Sequence, residues 1–153
     1  RVLFRSEAVS VEADFTGNTS FQEVLDDTTI ADPSRVTRLI FCSGKVYYDI
    51  LERRSDKEDK TTAIIRIEQL YPFHEDMLKA ITARYPKANK KWVWCQEEPK
   101  NMGAWGHINW RLEKMSGTTV RYAGRKRAAS PAVGSLTLHK AEQKQIVDAA
   151  FEV

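Results

Sequence analysis

The stretch Val-Trp-Cys-Gln-Glu-Glu-Pro-Lys-Asn-Met-Gly-Ala-Trp, residues 93–105, joins an apolar run to a polar turn and then to a second tryptophan. Its first residues are typical of a buried strand, and Pro99 and Gly103 are typical of a turn. From Trp105 onwards, apolar residues recur at steps of three and four as far as position 115. The stretch therefore predicts a strand over residues 91–95, a loop, and a helix that ends near Gly117.

Three further strand-like runs occupy residues 36–42, 62–67 and 118–122. Helical spacing follows them in the segment after Ser43, in residues 74–84 and in residues 139–151. Ser43 is expected to be the N-cap of the first of these helices. Four strands that alternate with helices predict an α/β fold with a mostly parallel sheet and helices on both faces.

The opening segment is polar and only weakly periodic. We expect residues 1–32 to be a linker that arrives from an upstream domain, and residues 33–153 to form a C-terminal α/β domain. The chain starts at Arg1 rather than at a methionine. It is therefore expected to be part of a longer protein.

The composition excludes several classes of function. The net charge is only +3, whereas proteins that bind nucleic acids carry a larger and more clustered basic excess. No run approaches the roughly 20 apolar residues that span a bilayer. Cys42 and Cys95 lie in apolar runs and are expected to be buried free thiols. The three histidines lack metal-ligand spacing, so no metal site is predicted.

Motifs that bind phosphate are missing, because the seven glycines form neither GxGxxG nor GxxxxGK[ST]. Two weaker candidates remain for an anion or effector. Ser43 and Lys45 stand at a predicted helix start, which either holds an anion or is simply a capped helix end. Arg125 and Arg127 belong to a basic loop with Arg121 and Lys126, which is either an anion clamp or a solvated loop.

Polar side chains also gather where two predicted strands end. Glu97 and Glu98 are adjacent, so along an extended chain they point in opposite directions and cannot form a facing catalytic pair. Glu68 and Gln69 follow the second strand at the same carboxyl edge, where they either form a site or serve a subunit contact. We expect a structural or interface role for these four residues together with Gln96, Asn101 and Trp105.

Four segments in this order resemble a known family: residues 41–49, 66–73, 94–105 and 122–125. They are similar to the C-terminal domain of the thiamine-diphosphate-dependent first component of the 2-oxoglutarate dehydrogenase complex. Residues 130–132, His139 and the segment around Arg5 and residues 8–10 match as well. The resemblance covers nearly the whole chain.

The resemblance implies a domain like the C-terminal domain of transketolases, within an oxidoreductase of the tricarboxylic acid cycle. The full chain would decarboxylate 2-oxoglutarate on thiamine diphosphate with Mg²⁺ and succinylate a lipoyl group. Its implied partners are a second copy of the chain, dihydrolipoyl succinyltransferase and dihydrolipoyl dehydrogenase. Its implied location is the mitochondrial matrix in a eukaryote, which is favoured, or the cytoplasm in a bacterium.

No catalytic, cofactor-binding or metal-binding residue is expected in this chain, because the family's Gly-Asp-Gly cofactor motif and catalytic histidines are missing from it. Gln96, Glu97, Glu98, Asn101 and Trp105 match a family motif and are expected to serve the domain or dimer interface. Two alternatives are the same domain of a 2-oxoadipate dehydrogenase and a module that binds a nucleotide or acyl-CoA effector. Against acetyl-CoA, residues 74–76 read His-Glu-Asp where responsive relatives are expected to be basic.

Overall fold

The structure is a computed structural model that describes residues 9–88 and 90–152. Arg5 and Ala8, which contribute to the resemblance, lie outside the described residues. In the described part of the chain, five strands and four α-helices follow in the order β1 (Val24–Leu25), β2 (Arg38–Cys42), α1 (Val46–Asp56), β3 (Thr62–Ile67), α2 (Glu75–Thr82), β4 (Trp92–Pro99), α3 (Trp105–Ser116), β5 (Arg121–Arg125) and α4 (Leu136–Phe151). Single 3-10 turns occur at Glu12–Asp14, Pro33–Arg35 and Pro86–Ala88.

The strands form one sheet in the order β1-β3-β2-β4-β5. Strands β2 to β5 are parallel to one another, and β1 pairs antiparallel with β3. The central strands are almost continuously apolar because helices cover both faces of the sheet. The predicted mostly parallel α/β sheet is confirmed.

The two faces of the sheet carry separate cores. Helices α2 and α3 cover one face, where Leu78 and Ile108 pack against alternate strand residues such as Phe41. Helices α1 and α4 cover the other face, where Ile50 and Ile146 pack on the residues in between. The alternation of strand side chains thus divides each strand between two cores.

Several predicted boundaries were wrong, among them the start of α4, which is Leu136 rather than residue 139. Strand β4 continues to Pro99 instead of ending at Cys95, and β5 begins at Arg121 rather than at residue 118. Ser43 is not an N-cap, because α1 begins at Val46 after Lys45 and has no side-chain cap. The C-terminal end of α3 was predicted correctly, since Gly117 adopts a left-handed φ of 67° there.

A strand was not predicted within residues 1–32, but Val24 and Leu25 pair with β3. The next turn is tied to the domain by Asp27, whose carboxylate accepts from the buried Arg54 guanidinium and from the Ile64 amide at 2.8 Å. Both ionic side chains are almost fully buried. A buried charge needs such a partner, so this pair fixes the turn to α1 and β3. The domain boundary at residue 32 stays a prediction.

Candidate functional site

The candidate site is a cleft at the carboxyl ends of neighbouring strands β2 and β4. From β2 the chain turns into α1 on one face of the sheet, and from β4 it turns into α3 on the opposite face. Such a switch point opens a crevice in which α/β proteins bind ligands. The cleft has a volume of about 500 Å³ and is lined by Ser43, Gly44, Lys45, Leu70, Tyr71, Trp94, Gln96, Glu97, Glu98, Gly103, Ala104 and His107.

Gln96 is the best-connected side chain at this site, and it is only 3% exposed. Its amide oxygen accepts from the Trp94 indole N–H at 2.8 Å and from the Trp105 backbone N–H at 2.9 Å. Its amide nitrogen lies 2.9 Å from the Met102 carbonyl oxygen and 3.2 Å from that of Glu98. One side chain therefore connects the core, the turn after β4 and the first residue of α3.

The turn itself has little room for other residues. Gly103 has a φ of +63°, and a Cβ atom there would lie 2.9 Å from the amide nitrogen of Gln96. Asn101 pairs its side-chain amide with the backbone of Ala128 through two bonds of 3.0 Å. Gly103 thus admits the Gln96 amide, and Asn101 joins the turn to the loop after β5.

Trp105, the first residue of α3, is only half-buried. Its ring packs 5.1 Å from that of Tyr122, beside the core formed by α2 and α3. The fully buried tryptophan of the motif is Trp94, with 1% of its surface exposed. The Tyr122 hydroxyl lies 3.0 Å from the Glu98 carbonyl oxygen and 2.9 Å from that of Arg125.

The two adjacent glutamates project to opposite sides of β4, as their positions in an extended chain require. Glu97 forms an ion pair with Lys45 at the start of α1. Glu98 is exposed and approaches Gly103 on the side of α3. Glu97 and Lys45 therefore connect the two walls of the cleft, while the carboxylate of Glu98 faces solvent.

Glu68 and Gln69 make different contacts after β3. The Glu68 carboxylate accepts from the Arg66 side chain at 2.8 Å and from the Gly44 amide at 3.3 Å, so it stands beside the α1 wall of the cleft. The Gln69 amide donates to the Pro72 carbonyl oxygen at 3.0 Å and does not line the cleft. Only Glu68 is thus in contact with the residues of the α1 wall.

The four residues considered for an anion or effector are not assembled into one site. Ser43 and Lys45 line the cleft, where Lys45 is paired with Glu97. Arg125 donates from Nε to the Glu97 carbonyl oxygen at 2.7 Å and also contacts the Pro131 carbonyl. Arg127 lies in a separate surface depression beside Lys100.

The sequence offered no partner for His107, but the structure does. Its Nε2 atom lies 3.0 Å from the Leu70 carbonyl oxygen, which joins α3 to the segment after β3. Its position two residues after Trp105, at a helix start, was the only available signal. The contact joins residues that are 37 positions apart in the sequence, and the spacing of residues within one helix does not predict it.

The thiols near the cleft are unsuited to nucleophilic chemistry. Cys95 is buried, and burial with the nearby charge of Glu97 raises the pKa of its thiol to about 12. Burial likewise raises the pKa of Cys42 well above its ordinary value. Because the thiolate is the reactive form, both cysteines stay inert at neutral pH.

Within residues 9–88 and 90–152, no group of three or more histidine, cysteine, aspartate or glutamate side chains is placed to hold a metal ion. Over the same residues, every helix is too short or too polar to cross a bilayer.

A model of the 2-oxoglutarate dehydrogenase C-terminal family matches residues 9–151. The chain belongs to this family. The match confirms the resemblance, and the mostly parallel sheet between two helical layers fits the transketolase-like C-terminal architecture that it implies.

Curated relatives with the name 2-oxoglutarate dehydrogenase E1 component extend the family assignment. The Rickettsia conorii protein is 41% identical over 157 residues, which cover 99% of this chain and 17% of the relative. The Haemophilus influenzae protein is 49% identical over 138 residues, which cover 88% of this chain and 14% of the relative. The Cupriavidus necator protein is 43% identical over 152 residues, which cover 98% of this chain and 16% of the relative. The chain thus spans about a sixth of the length of these relatives.

Proposed function

We propose that this chain is the non-catalytic C-terminal domain of a 2-oxoglutarate dehydrogenase first component. The observation that carries the proposal is the family match over residues 9–151. In this proposal the parent protein decarboxylates 2-oxoglutarate and transfers the succinyl group to a lipoyl arm. The domain supplies a rigid unit that packs within a homodimer.

The residues of the cleft do not fit thiamine diphosphate. A diphosphate with Mg²⁺ requires oxygen ligands for the metal and several cations or amides for the phosphates. The cleft instead carries Glu97 and Glu98 with a single lysine, Lys45, which is already paired. No step of the reaction is therefore assigned to residues of this chain, and the cofactor would be held by other parts of the parent.

For the residues of the β4–α3 turn we propose a positioning role. Gln96 and Asn101 fix the turn through their bonds to backbone atoms, and Trp105 packs beside it. Glu97, Glu98, Glu68 and Gln69 remain proposed interface residues, of which Glu98 is the exposed one in the cleft. The partners proposed for the parent are a second copy, dihydrolipoyl succinyltransferase and dihydrolipoyl dehydrogenase.

The cellular compartment proposed for the protein depends on whether the chain comes from a bacterium or a eukaryote. The relatives described above are bacterial proteins. For a bacterial chain we propose the cytoplasm. The mitochondrial matrix stays a prediction for a eukaryotic chain, without support from these relatives.

A domain exchange tests the proposal. This chain would replace the matching 138-residue segment of the Haemophilus influenzae protein, to which it is 49% identical. We expect the chimera to release CO₂ from 2-oxoglutarate at a rate within about tenfold of the parent, a difference of roughly 1.4 kcal/mol in the barrier. A deletion of the segment should abolish the activity.

Calorimetry on the 153-residue chain gives an independent control. We expect no binding of thiamine diphosphate in the presence of Mg²⁺, whereas the chimera should bind it. Tight, magnesium-dependent binding by the isolated chain, or a folded chimera without activity, would overturn the proposed function.

A further inference from the structure

A second cleft lies at the opposite edge of the sheet, where the strands begin. It has a volume of about 300 Å³ and is lined by Arg38, Lys90, Lys91, Trp92, Val93, Thr119, Arg121 and Glu152. Four of these eight residues are basic, and one is acidic. The basic loop predicted from the sequence is thus divided, with Arg121 in this cleft and Arg125 at the other end of β5.

The strand register explains why the basic side chains meet. Leu39 is paired with Trp92, so Arg38, the first residue of β2, and Lys91, the residue just before β4, are neighbours. Arg121 is paired with Val93 on the next strand. Because side chains alternate along a strand, all three basic residues lie on the face covered by α1 and α4.

The end of α4 accounts for only part of this charge. Arg38 donates to the Phe151 carbonyl oxygen at 2.9 Å, and Arg121 donates to that of Ala149. These bonds satisfy helix carbonyls that have no partner within the helix. A guanidinium has five N–H donors, and each of the two makes this single hydrogen bond within the described residues, so its other donors have no acceptor among those residues.

The charges at this edge are also unbalanced. Burial lowers the pKa of Arg38, and the charges of Asp59 and Arg121 then act on it in opposite directions, Asp59 raising it and Arg121 lowering it, so the two guanidinium groups lie close enough to repel one another. Two carboxylates stand against the four basic residues: Glu152 lines the cleft, and Asp59, which accepts hydrogen bonds from Thr61 and Thr62, acts on Arg38 through its charge. An added anion would relieve the repulsion.

We propose that the cleft between Arg38, Lys91 and Arg121 binds a phosphate group. Guanidinium groups match phosphate oxygens in a bidentate manner, and several cations around one point favour an anion of higher charge over a monovalent carboxylate. The site is distinct from the cleft at the carboxyl ends of the strands. It requires nothing of the activity proposed for the parent.

An NMR titration of backbone amides in the 153-residue chain tests the proposal, with inorganic phosphate as the probe. Ionic strength is held constant with potassium chloride, and acetate is the second arm. We expect saturable shifts at residues around 38, 91 and 121, with a Kd on the order of 1 mM. Acetate should bind at least about tenfold more weakly, because its single charge interacts less strongly with the cluster.

Two double variants distinguish phosphate binding in this cleft from nonspecific attraction to basic residues elsewhere on the surface. The double substitution Lys90→Ala with Lys91→Ala leaves the arginines at the end of α4 intact, and it should raise the Kd for phosphate about fivefold. The matched control is the double substitution Lys140→Ala with Lys144→Ala, at two exposed positions of α4, and it should leave the Kd for phosphate unchanged. The proposal is overturned by non-saturable phosphate shifts, by equal affinity for acetate, or by equal losses in the two double variants.

Discussion

Replacement of Gln96 by alanine tests whether one buried amide organises the turn between β4 and α3. The substitution leaves the Trp94 indole N–H without its acceptor, and Trp94 is only 1% exposed. An unsatisfied buried donor costs about 1–3 kcal/mol. The lost bonds to the Trp105 amide and the Met102 carbonyl add about 0.5–1.5 kcal/mol each.

The expected loss is therefore about 4 kcal/mol in the free energy of unfolding. Urea denaturation followed by tryptophan fluorescence measures it, and a scan of Tm should show a decrease of roughly 10 °C for a chain of this size. The matched control is Gln143→Ala, which removes one half-buried bond of 2.7 Å to Asp49. That control should lose about 1 kcal/mol.

Two outcomes would refute this reasoning. One is a loss at Gln96 no larger than that at Gln143, which would mean that water replaces the amide in the turn. The other is a loss accompanied by a lower denaturant slope, which would indicate a change in the surface exposed on unfolding rather than in the hydrogen bonds.

Three further predictions concern other parts of the domain. Asp27→Ala should lose about 3–5 kcal/mol of unfolding free energy in urea, because it leaves the Arg54 guanidinium buried without its partner; a loss under 1 kcal/mol would show that water reaches the arginine. Gly124→Ala should lose about 1–3 kcal/mol of unfolding free energy, since its Cβ would collide with the Tyr122 hydroxyl. The control Gly106→Ala lies in a helix with nothing within 4 Å of the added Cβ and should gain about 0.5–1 kcal/mol; equal effects in the two variants would contradict the prediction. Burial raises the pKa of the Tyr122 hydroxyl to about 12 from 10.0, so the stabilisation that comes from the protonated hydroxyl is complete below pH 10 and is lost as the pH rises through 12. In thermal melts recorded over this pH range, Tm should fall less steeply with pH in Tyr122→Phe than in the parent chain. An unchanged dependence of Tm on pH would count against the prediction.

The parts of the fold that sequence reasoning recovered are those governed by local patterns. Strand β3 was predicted with its observed bounds because residues 62–67 are an apolar and β-branched run, interrupted by Arg66, between polar segments. The left-handed end of α3 at Gly117 was equally readable, since glycine adopts that conformation at little cost. Such features depend on neighbours in the sequence alone.

The missed features depend on contacts between distant segments. The register of β4 shifts against β5 between Cys95 and Pro99, which allows the strand to continue through polar residues that looked like a loop. The sequence Gln-Glu-Glu at positions 96–98 is not typical of a buried strand. In the structure, the ion pair of Glu97 with Lys45 and the hydrogen bonds of Gln96 give these polar side chains their partners. Ser43 failed as a cap because the chain makes one further turn before α1 begins.

The site was predictable in its location more than in its contacts. The carboxyl edge of a parallel sheet was expected to gather Glu68 and Glu97, and both stand beside the start of α1 there. The basic residues were grouped by sequence distance, although β5 places Arg121 and Arg125 at opposite ends of the sheet. Residues four positions apart in a strand lie about 13 Å from one another.

The two-residue strand β1 has a consequence for how the domain behaves in solution. It occupies the outer edge of β3, whose backbone groups would otherwise be open to pairing with another chain. Because β1 is short, the Asp27–Arg54 pair next to it contributes to holding this protective strand in place. A chain shortened to begin at Pro33 would expose that edge and leave Arg54 without its partner, and we expect it to aggregate in a concentration-dependent manner.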